Sequence, residues 1–265
     1  MSPDKRDTWH FRACRQNGTL GVSPWQTGRI VGGAGWTVRS GSYVVTLIVG
    51  APGAGKGTQA RFVSEALGVP HVASGDLLRE HRRRGTPLGQ TVRAYMDRGD
   101  LVPDELVVQM VLERLGRPDA ATGALLDGFP RTLAQAQALD AELPARGGGV
   151  RSALLLDVPT DVLVDRLAGR RICVGCRGTF HVLLQALPAD GSCPECGDTL
   201  VQRPDDTAAV VLHRVSVYQE ETAPVVAYYR DKGLLRSVDA RRSVEEITAD
   251  LLAALGACRR VQVAS

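Results

Sequence analysis

The sequence has few cysteines for its length, no long apolar run and very little lysine. Six cysteines in 265 residues are too few for a disulfide scaffold. No run approaches the roughly 18 apolar residues of a transmembrane helix, so we expect no membrane partner. The first residues lack the apolar segment of about 7–15 residues typical of a secretory signal, so we expect a cytoplasmic protein. Only three of the 32 basic residues are lysines, which makes a lysine inside a motif informative.

Charge is unevenly divided along the chain. The whole sequence has a formal net charge of +3, from 32 basic and 29 acidic residues. The first 43 residues hold six of the basic and two of the acidic residues, so the remaining 222 residues carry a net charge of −1. A body with almost no net charge argues against a nucleic-acid coat, and we expect no nucleic-acid partner. Hydrophobic residues, at 44%, suffice for a full core and exclude global disorder.

Residues 1–42 differ from the rest of the chain. They are rich in Gly, Ser and Arg, show no helical or strand period, and hold all three tryptophans, Trp9, Trp25 and Trp36. We interpret this segment as a disordered extension or as the product of an upstream start site. The alternative is a peptide that docks elsewhere through its tryptophans. The remainder, 43–265, is predicted to form one domain with insertions.

From Tyr43 onward, short apolar strands alternate with helical stretches. We predict strands at Tyr43–Val49, 69–73, 124–127, 153–157 and 234–238. We predict helices at 58–67, 76–84, 88–98, 104–116, 132–143, 160–167 (capped by Thr160), 207–231 and 243–255. The first strand is a continuous β-branched run, which suits a parallel strand buried on both faces. The alternation predicts an α/β fold with a doubly wound parallel sheet of five strands, and residues 170–206 form an insertion on it.

The first predicted strand leads into a glycine-rich turn with the sequence Gly50-Ala51-Pro52-Gly53-Ala54-Gly55-Lys56-Gly57-Thr58. It fits the phosphate-loop pattern G-x-x-x-x-G-K, with the hydroxyl one place later than usual. Glycines bring backbone N–H groups close to phosphate oxygens, and the following helix points its positive end at the same anion. Lys56 is expected to reach the terminal phosphates, and Thr58 to face the phosphates or the Mg²⁺ shell. The turn therefore predicts a P-loop nucleotide site.

Three further segments follow the next predicted strands, at the end of the sheet where α/β folds hold ligands. They begin at Ser74 (SGDLLR), Leu101 (LVPDEL) and Asp127 (DGFPR). Arg79 and Arg131 are able to bind phosphate in bidentate fashion. Asp127 suits a carboxylate that acts on Mg²⁺ through water.

The insertion carries two cysteine pairs. Cys173 and Cys176 are followed, after sixteen residues, by Cys193 and Cys196. This spacing predicts a closed four-thiolate Zn²⁺ site, which is structural because four ligands leave no open position. The ion would substitute for a core that some 38 residues cannot build. A redox pair is the alternative interpretation.

Together these motifs resemble the adenylate kinase family, of the bacterial type with a long lid, over residues 43–255. The most specific pieces are GAPGAGKGT, SGDLLR, LVPDELV, LLDGFPRT, VDRLAGRR and TAPVVAYY. The resemblance implies a monomeric nucleoside monophosphate kinase that transfers the γ-phosphoryl of Mg·ATP to AMP and gives two ADP. It also implies a nucleoside monophosphate (NMP)-binding region at 73–102 and a lid at 170–206.

The resemblance further assigns roles to individual residues. The implied ATP site consists of Gly53, Ala54, Gly55, Lys56, Gly57, Thr58, Arg166, Arg170, Thr179, Phe180 and Arg242. The implied AMP site consists of Ser74, Arg79, Asp100, Leu101, Val102, Gly128, Phe129, Pro130, Arg131, Gln135, Arg203 and Arg214. The implied catalytic set is Lys56, Arg131, Arg170, Arg203 and Arg214. Gln135 would read the adenine edge, because its amide both donates and accepts.

Several alternatives and departures from the family pattern stay open at this point. UMP/CMP and GMP kinases compete with an AMP kinase, and a nucleotide sensor or a zinc-ribbon nucleic-acid binder competes with an enzyme. Ser74 replaces the more usual threonine, Arg177 replaces a glycine after the second cysteine, and residues 184–187 replace a Phe-Asn-Pro-Pro run. We expect these departures to affect lid closure and turnover more than the type of reaction.

Overall fold

The computed structural model describes residues 43–176, 178–182, 187–202, 206 and 208–256. Several predictions fall at least partly on other residues. The extension at 1–42, the guanidinium of Arg203, the altered knuckle at Arg177 and most of the altered stretch at 184–187 lie outside the described residues.

A parallel sheet of five strands forms the centre of the molecule, as the sequence predicted. Its strands are β1 (Tyr43–Val49), β2 (His71–Ala73), β3 (Gly123–Asp127), β4 (Gly148–Asp157) and β8 (Leu235–Asp239), in the order β2-β3-β1-β4-β8. β1 lies between β3 and β4, with Thr46 opposite Leu125 on one side and Ser152 on the other. Its β-branched run is buried because the strand is covered on both faces.

Helices connect the strands and cover the sheet. They are α1 (Lys56–Leu67), α2 (Ser74–Arg83), α3 (Pro87–Arg98), α4 (Asp104–Leu115), α5 (Leu133–Glu142), α6 (Thr160–Ala168), α7 (Ala208–Val217), α8 (Ala223–Asp231) and α9 (Val244–Ala254). Short 3₁₀ turns lie at Pro118–Ala120 and Leu143–Arg146. Local sequence explains several helix starts: Thr86 and Thr132 accept from backbone amides, and Ser243 forms a capping box with Glu246.

Two apolar clusters lie on opposite faces of the sheet, because successive strand side chains alternate in direction. Leu47 and Leu126 belong to one cluster, whereas Ile48 and Leu125 belong to the other. The two clusters together give the sheet a full core. The carboxyl ends of its strands are therefore a rigid base for the loops that follow them.

The insertion forms a separate small sheet. Its antiparallel strands are β5 (Arg170–Cys173), β6 (Thr179–His181) and β7 (Leu200–Val201), in the order β6-β5-β7. Only three described side chains, those of Cys173, Phe180 and Cys193, form its buried cluster. The insertion therefore has almost no apolar core of its own.

Two local predictions need correction. The helix predicted over 207–231 divides into α7 and α8 around a π-helical turn, Tyr218–Thr222. Pro224, in the first turn of α8, has no N–H to donate, and the wider turn accommodates it. The predicted Thr160 cap is also wrong, because Pro159 holds the cap position and Thr160 is already helical. Among the described helices, none is long and apolar enough to cross a membrane.

Candidate active site

The phosphate-loop residues form a tight turn between β1 and α1. Gly53 has a φ of +86°, and a Cβ there would lie 2.9 Å from the carbonyl oxygen of Leu163. Gly55, with a φ of +91°, is the N-cap of α1, so the first amides of the helix face the turn. The loop therefore has the backbone geometry that places N–H groups around an anion.

Lys56 curls back over this loop. Its Nζ donates to the carbonyl oxygens of Gly50 at 2.8 Å and Ala51 at 2.9 Å. Burial lowers the pKa of Lys56 to about 7. Lys56 lies next to the phosphate loop, and its surroundings destabilise its charged form. A bound phosphate group would therefore stabilise the ammonium.

Charged side chains near Lys56 act on it in opposite directions. The guanidinium groups of Arg131, Arg214 and Arg170 lower the pKa of Lys56 further, whereas the carboxylate of Asp127 raises it. Lys56 and these arginines thus form a cationic region. Such a region is complementary to phosphate groups.

One cleft brings the phosphate loop and the acceptor-side segments together. It is lined by Gly50, Lys56, Leu101, Gly128, Pro130, Arg131 and Arg214, among others. These residues come from four separate parts of the chain. The loops after β1 and β3 meet because parallel strands end at the same edge of the sheet, and the segment between α3 and α4 and the helix α7 complete the lining. The convergence places two sets of phosphate-binding candidates within one cavity.

Asp127 ends β3 beside the phosphate loop. Its Oδ2 lies 3.2 Å from Nε2 of His71, and a Cβ on Gly57 would lie 3.6 Å from the same oxygen. The side chain of Asp127 is 13% exposed, so it is not fully enclosed. A partly exposed carboxylate next to a phosphate cradle fits Mg²⁺ held through water. The sequence reasoning missed His71, whose only signal was its position two residues before the end of a predicted strand.

Arg170 and Arg214 meet on a buried acid. Arg170 donates through Nε to Oδ2 of Asp206 at 2.7 Å and through Nη2 to Oδ1, and Arg214 donates to Oδ1 at 3.3 Å. Asp206 is fully buried, so this ion pair joins the start of the lid to α7. The sequence reasoning gave both arginines a role but gave none to Asp206, although an acidic pair at 205–206, shortly after Arg203, was a signal.

The acceptor loop after β3 is built around Gly128. Its carbonyl oxygen accepts from Oγ of Ser74 at 2.6 Å and from Nε of Arg131 at 2.8 Å. Gly128 has a φ of +69°, and a Cβ there would lie 3.1 Å from Nη2 of Arg131 and 3.2 Å from Oγ of Ser74. Glycine suits this position because a side chain would strain the left-handed backbone and crowd Arg131 and Ser74. Phe129 is buried in the core, and its peptide bond to Pro130 is cis.

Gln135 lies one turn into α5 and is 1% exposed. Its Oε1 accepts from the backbone N–H of Arg131 at 2.8 Å, and its Nε2 donates to Oδ1 of Asp104 at 2.7 Å. The sequence reasoning quoted Asp104 only within the LVPDEL segment and gave it no role of its own. Asp100, in the implied AMP set, accepts from Nε of Arg98 and lies 2.7 Å from Nε2 of His213, which lowers the pKa of Asp100.

Several assigned residues lie away from the cleft or hold other partners. Arg79 pairs with Asp76 on its own helix, and Nη1 of Arg166 donates to the carbonyl oxygen of Ala240 at 2.9 Å. Arg242 pairs with Asp250, and Thr179 is exposed on β6. Phe180 is 6% exposed inside the lid cluster. The roles of these residues toward ATP and AMP stay predictions.

The four lid cysteines cluster as the spacing predicted. Their sulfur atoms all lie within 4.8 Å of one another, with 3.4 Å between Cys173 and Cys196 and 3.6 Å between Cys176 and Cys193. A tetrahedral Zn–S₄ site with bonds of about 2.3 Å needs sulfur separations of about 3.8 Å. A disulfide needs about 2.05 Å. Burial raises the pKa of Cys173, so a thiolate there needs a cation. The set fits a four-thiolate metal site.

Comparison with known proteins agrees with this geometry. The family model described as "Adenylate kinase" matches residues 48–234. The chain is similar to the adenylate kinase of Desulforudis audaxviator, at 50% identity over 210 residues, covering 79% of this chain and 98% of the relative. It is similar to that of Moorella thermoacetica at 48% identity (79% and 97%) and to that of Methanocella arvoryzae at 44% over 209 residues (79% and 97%). The chain belongs to the adenylate kinase family.

Proposed function

We propose that this protein catalyses the reversible transfer of the γ-phosphoryl group of Mg·ATP to AMP, giving two ADP. The observation that carries the proposal is the shared cleft, where Lys56 of the phosphate loop faces Arg131 of the acceptor loop and Arg214 of α7. Phosphoryl transfer needs positioning and charge stabilisation rather than covalent catalysis. A cleft that holds cations from the ATP side and from the AMP side would provide positioning and charge stabilisation.

The donor nucleotide would lie on Gly53, Ala54, Gly55, Lys56, Gly57 and Thr58. Backbone amides at the start of α1 would bind its phosphates, and Lys56 would exchange its carbonyl partners for phosphate oxygens. The acceptor would lie against Ser74, Arg131 and Gln135, with its phosphate on the guanidinium of Arg131. This arrangement puts the acceptor phosphate and the terminal donor phosphate at the same cleft.

Arg170 and Arg214 would complete the charge stabilisation. Both guanidinium groups pair with the single carboxylate of Asp206 and are about 15% exposed, so the three groups together keep one net positive charge. Phosphate groups would compete with Asp206 for them as the lid moves over the nucleotides. Arg203 belongs to the same proposed set. A lid over residues 170–206 would exclude water, which protects the reacting phosphoryl group from hydrolysis.

Two metal ions belong to the proposal. Mg²⁺, held through water by Asp127, would neutralise charge on the donor phosphates. Zn²⁺, held by Cys173, Cys176, Cys193 and Cys196, would stabilise the lid and take no part in the reaction. The four thiols are free, which is consistent with action in the reducing cytoplasm. We also propose a monomer, because one chain supplies both sides of the cleft, with residues 73–102 as the NMP-binding region.

A phosphate-transfer assay tests this proposal. The protein is given Mg·ATP with AMP, CMP, UMP or GMP in turn, and formation of the diphosphates is followed by chromatography. We expect AMP to be the preferred acceptor, with production of two ADP per turnover. Preference for CMP, UMP or GMP would assign a different kinase, and nucleotide binding without any transfer would favour the sensor.

A further inference from the structure

A partly buried polar network lies behind the acceptor loop and involves Asp104, the first residue of α4. One of its carboxylate oxygens, Oδ1, accepts from Nε2 of Gln135 at 2.7 Å, and the other, Oδ2, accepts from Oγ1 of Thr132 at 2.8 Å. Thr132 in turn caps α5 by accepting from the backbone N–H of Gln135 at 3.2 Å. Asp104 thus holds both the side chain of Gln135 and the residue that caps its helix.

The network permits only one orientation of the Gln135 amide. An ionised carboxylate only accepts hydrogen bonds, and a backbone N–H only donates. Nε2 must therefore face Asp104, and Oε1 must face the N–H of Arg131, as observed. A flipped amide would place oxygen against the carboxylate and NH₂ against an N–H. Because Gln135 is 1% exposed, water cannot compensate for these two clashes.

A fixed amide orientation discriminates between bases. Each atom of the amide keeps one further hydrogen-bonding position, a hydrogen on Nε2 and a lone pair on Oε1. A 6-aminopurine offers a ring acceptor at N1 beside an amino donor, which matches this order. A 6-oxopurine offers the reverse, a donor at N1 beside a carbonyl acceptor, and would require the flipped amide.

We propose that Asp104 is a specificity-determining positioning residue, which orients Gln135 so that the acceptor site takes amino-bearing bases and rejects their oxo counterparts. The inference rests on the proposed function and on Gln135 contacting the base of the acceptor. Asp104 itself acts through Gln135 and touches no reacting atom. A role limited to joining α4 to α5 would alter stability without altering the choice of base.

Asp104→Asn is the sharpest variant for testing this inference. The hydroxyl of Thr132 already accepts the Gln135 N–H, so its proton goes to the side chain at position 104. The oxygen of the new Asn would face Thr132, and its NH₂ would face Gln135. Each orientation of the Gln135 amide then has one matched and one mismatched partner, because the backbone N–H of Arg131 still favours Oε1. The flipped amide is no longer excluded, so the variant should accept 6-oxopurines better than the wild type does.

The experiment measures kcat/KM for AMP and for inosine 5′-monophosphate at saturating Mg·ATP. We expect the ratio of AMP to inosine monophosphate to fall at least about tenfold in Asp104→Asn. Asp161→Asn is the matched control, because Asp161 also lies in the first turn of a helix and is exposed. That variant should keep the wild-type ratio. An unchanged ratio in Asp104→Asn, with AMP still phosphorylated, would overturn the inference and leave the proposed function intact.

A measurement on the wild type keeps the inference testable if Asp104→Asn does not fold. The wild-type protein should use AMP better than inosine monophosphate, and CMP better than UMP, because cytosine and uracil differ by the same exchange of amino and oxo groups. Equal use within both pairs would overturn the inference. A wild type that phosphorylates none of the four would overturn the proposed function and, with it, this proposal.

Discussion

The central sheet and the lid are stabilised by different means. The sheet carries apolar clusters on both faces, whereas the described part of the lid buries only Cys173, Phe180 and Cys193 together. A small module cannot remove enough apolar surface from water to offset the entropy of ordering its chain. The lid instead gathers four sulfur atoms within 4.8 Å. The comparison shows that one chain can stabilise one region by a packed apolar core and another by a cluster of side chains suited to bind a metal.

Asp206 lies where these two regions meet. It is fully buried between Arg170, at the start of the lid, and Arg214, on a helix packed in the body. The single carboxylate offsets one of the two positive charges, and it lies at the junction between the insertion and α7. The same arginines therefore connect the stability of the lid to the charge of the cleft.

The largest expected effect is the loss of turnover when the phosphate loop, which follows the first strand of the central sheet, is changed. Lys56→Ala removes the ammonium that lies over the phosphate loop, and we expect kcat to fall about 10³-fold, because charge stabilisation in a dry cleft is lost. Zinc content and the melting of the lid should stay unchanged, since the lid does not depend on this residue. Steady-state kinetics and metal analysis measure both.

Lys232→Ala is the control for the Lys56 variant. Lys232 pairs with Asp140 on the surface between α5 and α8, far from the phosphate loop in the fold. Its loss should leave kcat within about twofold of the wild type. Near-normal turnover in Lys56→Ala would remove the phosphate-loop assignment.

The next effect falls on the lid. Cys193→Ser replaces a thiolate by a poor zinc ligand, and we expect the zinc content to fall from about one ion per chain to well below that. The lid should then open to hydrogen exchange at lower temperature, while amides of β1 and β3 stay protected because the sheet has its own core. Ser192→Ala, at the neighbouring position, should keep the metal. Unchanged metal content and unchanged lid exchange in Cys193→Ser would contradict the zinc site.

The smallest effect is a proton taken up when the nucleotide binds. Lys56 has a pKa of about 7 in the free protein, so at pH 8 it is mostly neutral, and phosphate groups should raise its pKa and protonate it. Binding of ATP at pH 8 should therefore take up about one proton, and affinity should weaken as the pH rises above 7. Calorimetry in two buffers of different ionisation enthalpy measures the uptake.

Lys56→Arg is the control for this proton, because arginine stays charged over the whole range. The variant should bind ATP without uptake from this position. Equal uptake in the wild type and in Lys56→Arg would show that another group carries the proton.

Much of the fold was predictable because it depends on local patterns. The β-branched run of β1, the turn after it and the alternation of strands and helices predicted five parallel strands, and the structure confirms them. The break between α7 and α8 was missed, because the helical period continues across it and only Pro224 marks the place. The Thr160 cap was wrong because Pro159 occupies the capping position itself.

The candidate site likewise contains residues that short motifs predicted and residues that they did not. Lys56, Arg131 and the four cysteines were named from short motifs, and the structure brings Lys56 and Arg131 to one cleft and the cysteines to one cluster. His71, Asp104 and Asp206 were assigned no role. Each acts through a partner distant in sequence, so the local sequence does not show which residue it contacts.

The sequence by itself determined the type of chemistry, because the motifs that indicate it are local. A glycine turn followed by a lysine indicates a phosphate site, and two pairs of closely spaced cysteines indicate a metal site. Only the tertiary structure decided which side chains support that chemistry. Asp104 reaches Gln135 across 31 positions, and Asp206 reaches Arg170 across 36. Such partners are selected by packing, since a buried polar group must find its complement wherever the fold places one.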